Sequence, residues 1–115
     1  MILIAIVLFA IAAAVGATLA VLRLKNRTLP MPLILTHGLV AATALALVLV
    51  ATLMGGGTTL QNIALGLFVV AALGGFALFS FQLRRTDIPL PLMFIHAAVA
   101  VAAYVLLLLT GFHLA

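Results

Sequence analysis

Two histidines stand in copies of one phrase, TLPMPLILTHG at 28–38 and DIPLPLMFIHA at 87–97. At an offset of 59 residues both prolines of each P-x-P pair and the histidine fall in register. An imidazole in an apolar run is a functional candidate by default, because an ionisable group in hydrocarbon is costly unless it ligates, relays or hydrogen-bonds. Each histidine lies a few residues inside its proline-marked helix start, ~7 Å along the axis at 1.5 Å per residue. His37 and His96 are therefore level. Packed helices run 8–10 Å apart, so diagonal axes of a four-helix bundle lie about 11–14 Å apart. That gap suits two facing imidazoles sharing one metal at ~2 Å per metal–nitrogen bond.

The surrounding chain dictates what must position them. Of 115 residues, 69% are hydrophobic and 5% charged, and the mean hydropathy is +1.57. This is the composition of an integral membrane protein. The apolar runs 2–22, 33–54, 60–81 and 92–112 each match the ~20 residues of one helical crossing. They do not alternate apolar with polar, which argues against a barrel. An all-α, integral membrane four-helix bundle is expected. No Lys or Arg precedes the first run, so it reads as a retained helix and not as a cleaved signal. All five basic residues, Arg23, Lys25, Arg27, Arg84 and Arg85, fall in the first and third connections, and MGGGTTLQN in the middle has none. The positive-inside bias then makes loops 23–31 and 82–91 cytoplasmic and both termini external, in a bacterial-type inner membrane. The formal charge of +4 marks orientation and contact with anionic groups, and gives no reason to propose nucleic-acid binding. Without cysteine, disulfides, thiolate metal sites and covalently attached haem are excluded.

The offset of 59 divides the chain into two tandem transmembrane hairpins, repeat 1 at 1–57 and repeat 2 at 58–115, within a single transmembrane domain. Equal orientation of the hairpins implies a pseudo-twofold axis along the membrane normal, with helices 2 and 4 diagonal and helices 1 and 3 on the other diagonal. The identical positions form one stripe per helix. On helices 2 and 4 they are Leu33/Leu92, His37/His96, Val40/Val99, Ala41/Ala100, Ala44/Ala103 and Leu47/Leu106. On helices 1 and 3 they include Ile4/Ile63, Ala5/Ala64, Phe9/Phe68, Ala12/Ala71, Ala13/Ala72 and Gly16/Gly75. Such stripes are expected to face inward, with the variable faces toward lipid.

A flat macrocycle between the histidines would need small residues at the same depth, and Gly16 and Gly75 lie there. Ala41, Ala44, Ala100 and Ala103 clear space beyond each histidine, Phe9 and Phe68 close the deep side, and the loop cations Lys25 and Arg84 reach toward propionates. This set of paired histidines with glycines opposite resembles the small four-helix transmembrane b-type cytochromes, whose haem is held by one His from each of two helices. The resemblance is architectural and spans the whole chain, and it implies one haem b per chain with His37 and His96 as metal ligands. It departs from the two-haem members, which carry a second ligand pair across the membrane. It implies membrane electron transfer, as a haem-b oxidoreductase or electron-transfer subunit, with quinone or a partner oxidoreductase as exchange partner. A single haem in the cytoplasmic third leaves ~20 Å of the ~30 Å core uncovered.

Other readings stay open. An intramembrane histidine also serves simply to hydrogen-bond a neighbouring helix, at about 0.6–2 kcal/mol, which would make the chain a non-enzymatic accessory subunit or homo-oligomer. A small metal- or proton-handling transporter is weakened by the lack of Asp or Glu in the spans. The P-x-P pairs read as helix starts, Thr28 and Asp87 as caps or as partners of loop amides, Gly55-Gly56-Gly57 as a turn, and Tyr104 as packing. His113 and its repeat equivalent Met54 would make a known axial pair. The 17-residue step from His37 to Met54 turns about 260°, off the histidine stripe, so they are discounted.

Overall fold

The computed structural model describes residues 1–113, and Leu114 and Ala115, on which the expected external C-terminus falls, lie outside the described residues. Four long helices carry the chain: α1 Ile2–Leu24, α2 Met31–Ala51, α3 Thr59–Leu83 and α4 Leu90–Gly111. Each is long and apolar enough to cross a membrane. The bundle measures 42 × 23 × 20 Å, and its long axis matches a bilayer of about 40–45 Å including headgroups.

Local chemistry sets the helix ends. Pro30 and Pro89 are the N-caps of α2 and α4, each in extended backbone, with Pro32 and Pro91 in the first turn. Proline costs nothing there, since its missing N–H would have had no intrahelical partner. No side chain caps either helix, so the expectation that Thr28 and Asp87 cap them is corrected: the prolines hold the cap positions. Helices α1 and α3 end in matching Schellman turns. Arg27 N–H donates to Leu22 O at 2.9 Å and Thr86 N–H to Phe81 O at 3.0 Å. The residues between helix and loop, Asn26 and Arg85, take φ of 56° and 57°.

The middle connection is tighter than its glycines imply. A π-type turn, Thr52–Gly56, prolongs α2, with Gly55 at φ 92° reversing the chain. Thr58 then caps α3 by accepting from Gln61 N–H at 3.1 Å. Gln61, buried, donates from Nε2 to Thr52 Oγ at 2.9 Å, and the Thr52 hydroxyl donates to Val48 O at 2.8 Å. Among the described residues no buried side-chain polar atom lacks a partner, as a low-dielectric setting requires.

Packing is closest within hairpins, α1 on α2 and α3 on α4, with sparser contact between α1 and α4 and between α2 and α3. That neighbour pattern puts α2 and α4 on one diagonal of the bundle and α1 and α3 on the other. Ala5, Phe9, Ala44, Val48, Ala64, Phe68, Ala103 and Leu107 form the shared core, toward the end opposite the basic loops. The Phe9 and Phe68 rings stack across the diagonal, centroids 4.0 Å apart and 1° from parallel. Tyr104 OH joins the hairpins by donating to Ile6 O at 3.0 Å. The inward stripe is narrower than the repeat implies. Ile4 and Ile63 are 59% and 48% exposed despite being identical in both halves: the buried arc of α1 runs through Ala5, Ile6, Phe9 and Ala12, and Ile4, about 100° back from Ala5, falls outside it.

Candidate functional site

The histidines sit at the looser, loop-side half of the bundle, His37 in the second turn of α2 and His96 in the second turn of α4. Both are half-buried. His37 Nδ1 lies 2.8 Å from Ala12 O and His96 Nδ1 lies 2.8 Å from Ala71 O. A carbonyl oxygen only accepts, so each contact requires the proton on Nδ1. The neutral rings are thus both Nδ1–H tautomers, with an unshared pair on Nε2. The two ring centroids are 6.4 Å apart with planes at 78°.

Each histidine is seated by the first helix of its own hairpin. The carbonyl of Ala12 already serves the helix ladder through the N–H four residues on, at Gly16, and its second lone pair takes the imidazole. A side chain at Gly16 would block that approach, since a Cβ there would meet His37 Cε1 at 2.8 Å and Nδ1 at 3.1 Å. At Gly75 a Cβ would meet His96 Cε1 at 3.3 Å. The space that each glycine leaves is filled by an imidazole. Gly74, beside it, has an ordinary 3.5 Å distance to His96 Nδ1.

The other expected site residues separate into two groups. Phe9, Phe68, Ala44 and Ala103 are buried together in the core beyond the histidines, and Ala41 packs against that core. Ala100 is half-buried one turn along from His96. The loop cations are elsewhere. Lys25 is exposed, and the Arg84 guanidinium donates to Ser80 O and Oγ and lies 4.6 Å from the Phe81 ring centre.

No family model, curated protein or solved structure matches the chain. Its chemistry is therefore read from its own donors. Among the described residues no group of three or more His, Cys, Asp or Glu side chains gathers. In their neutral form the two rings offer two Nε2 lone pairs in a largely apolar surrounding.

Two features escaped the sequence. Tyr104, the single tyrosine, bridges hairpins through its hydroxyl, and the signal was available: a phenol in hydrocarbon needs an acceptor. Arg23 crosses between loops by donating Nε to Ile88 O at 2.9 Å, and nothing in the spacing of 65 residues announces it. His113 ends α4 at φ 56° on the opposite side of the bundle, remote from His37 and His96.

Proposed function

We propose that the chain is a membrane electron-transfer protein that binds one b-type haem through His37 and His96 and exchanges electrons with quinol or a partner redox protein. The observation carrying this reading is the pair of Nδ1–H···O=C bonds to Ala12 and Ala71. Metal-ligating histidines characteristically give their other ring N–H to a carbonyl or carboxylate, which fixes the tautomer and raises the basicity of the ligating nitrogen. The spacing fits as well. Two metal–nitrogen bonds of ~2 Å plus the half-widths of two rings sum to about 6 Å, against 6.4 Å between the centroids. A bare ion would find only two protein donors here, whereas iron in a porphyrin has four nitrogens from the macrocycle and needs two axial ligands.

When bound, haem supplies a one-electron couple whose potential the protein tunes. The chain's own residues do the rest. His37 and His96 would hold the iron through Nε2, and with both imidazoles engaged the group would supply outer-sphere electron exchange in preference to binding oxygen. Ala12 and Ala71 orient the rings, Gly16 and Gly75 let them approach, and Phe9 with Phe68 exclude water from the deep side. Ala44 and Ala103 are small enough to pack beside the Phe9 and Phe68 rings beyond the histidines, with Ala41 and Ala100 one turn from each imidazole. Lys25, which is exposed, would be available to carboxylates at the loop end, as would Arg84 on release from Ser80.

The same reading takes residues 1–57 and 58–115 as tandem hairpins about a pseudo-twofold axis along the membrane normal. It is supported by the recurrence, 59 residues apart, of the histidine–carbonyl bond and of the Schellman turn. It places the basic loops on the cytoplasmic side of a bacterial-type inner membrane, with both ends outside, on the charge bias.

A second reading has its own observation. The Nδ1 bonds tie α2 to α1 and α4 to α3 without any cofactor, as an accessory subunit would require. Visible absorption of the purified protein before and after reduction separates the two. A reducible b-type spectrum at about one haem per chain supports electron transfer. A protein that stays colourless when haem is supplied during expression leaves the accessory role.

A further inference from the structure

At the basic end of the bundle the two interhelical loops enclose a groove of about 410 Å³. Arg23, Arg27 and Arg85 line it, together with Gln82 and Asp87. Asp87 is the only acidic residue in the chain. Three guanidiniums and one carboxylate line the groove, which leaves its lining with a surplus of two positive charges. Uncompensated, converging guanidiniums in a recess repel one another and are relieved by an anion.

The groove is held in shape. Arg23, half-buried, spans it with its Nε bond to Ile88 O. Arg85 occupies the left-handed C′ position of α3 at φ 57°, where glycine is the low-strain residue, and from there its side chain lines the recess. Depth narrows the ligand. The lining residues fall in the last turns of α1 and α3 and in the connections that lead to α2 and α4, which is the headgroup level of a bilayer that the spans cross. Buried Leu29 and half-buried Ile88 add an apolar part to the lining. Arginine forks match the geometry of phosphate oxygens in pairs, and basic recesses between transmembrane helices are a recurrent setting for anionic lipid headgroups.

We infer that this groove binds a phosphate anion at the membrane surface, through Arg27 and Arg85 with Arg23 as the fixed wall. Its chemistry is met either by the phosphodiester of an anionic phospholipid or by free phosphate. The inference is independent of haem, because Lys25 and Arg84, the cations assigned to propionates, do not line the groove.

The full chain, purified in a neutral maltoside detergent, is titrated with short-chain phosphatidylglycerol, with phosphatidylcholine and with inorganic phosphate. Native mass spectrometry counts the bound lipid, and competition reads the phosphate arm. The expected result is saturable binding of about one phosphatidylglycerol per chain over phosphatidylcholine, weakened about fivefold by Arg27→Gln and by Arg85→Gln at about 1 kcal/mol per cation. Lys25→Gln removes the same charge from the same loop outside the groove and should leave binding unchanged. Inorganic phosphate that binds and is lost in the two arginine variants, without phosphatidylglycerol competing, assigns the groove to the soluble anion. Failure of both anions to bind, or an equal loss in Lys25→Gln, overturns the site in favour of diffuse charge.

Discussion

Gly16→Ala and Gly75→Ala are the same change at equivalent positions, yet their consequences should differ. A methyl at Gly16 would stand 2.8 Å from His37 Cε1, and at Gly75 3.3 Å from His96 Cε1. Carbon atoms in contact settle at ~3.5–4.0 Å, so the His37 ring must retreat by about 0.7 Å or more, and the His96 ring by only a few tenths. A retreat of that size would take the Nδ1 contact to Ala12, now 2.8 Å, to about 3.5 Å, the edge of hydrogen bonding. Overpacking costs about 1–3 kcal/mol and the interhelical bond about 0.6–1.7 kcal/mol. The helical preference for alanine over glycine returns about 1 kcal/mol. Gly16→Ala should therefore destabilise by about 1–3 kcal/mol, and Gly75→Ala should stay within about 1 kcal/mol of wild type. Reversible unfolding in mixed maltoside and dodecyl sulfate micelles measures both. In a His37→Ala background the three atoms nearest the methyl at position 16 are gone and its penalty should vanish. Equal effects at the two glycines, or a penalty that survives removal of His37, would refute the seating of the imidazole on the glycine.

Tyr104→Phe removes the hydroxyl that reaches Ile6 O and should cost about 0.6–1.7 kcal/mol in the same unfolding assay, with no change in helix content by circular dichroism. A double-mutant cycle of Phe9→Ala and Phe68→Ala should return a coupling of about 0.5–1.5 kcal/mol for the stacked pair, and a coupling near zero would mean that the rings do not meet in the membrane. A reporter inserted in the 25–30 loop should read as cytoplasmic and one after Gly57 as external, the reverse result placing the histidines in the outer leaflet.

The spans were legible because hydrocarbon leaves a helix few alternatives, and long apolar runs with no alternation announce it. The P-x-P pairs announced two helix starts through the geometry of the proline ring, which fits the first turn and little after it. Pairing of the histidine level with the glycine level was also readable, since Gly16/Gly75 and His37/His96 recur together at one offset. What fills the gap at the glycines was not. It depends on whether an imidazole rotates toward its own hairpin's first helix or toward the diagonal, a side-chain choice that spacing does not encode. The corner at Thr52–Gly56 was hidden for a similar reason: MGGGTTLQN reads as flexible, and only the partnering of Thr52, Thr58 and Gln61 makes it compact. Arg84 was placed by sign and proximity alone, whereas it bonds Ser80, an acceptor four residues back that the helix brings alongside it.

The most direct measurement is electron paramagnetic resonance, with visible absorption, on the oxidised protein as purified and on three histidine variants. With His37 and His96 as axial ligands and their planes near the 78° of the structure, the iron should be six-coordinate and low-spin, with the strongly anisotropic signal that near-perpendicular imidazoles impose. His37→Ala and His96→Ala should each abolish that signal, and His113→Ala should leave it intact. A wild-type protein with no haem after haem-supplemented expression, or a low-spin signal that survives loss of His37 or of His96, would contradict the shared iron.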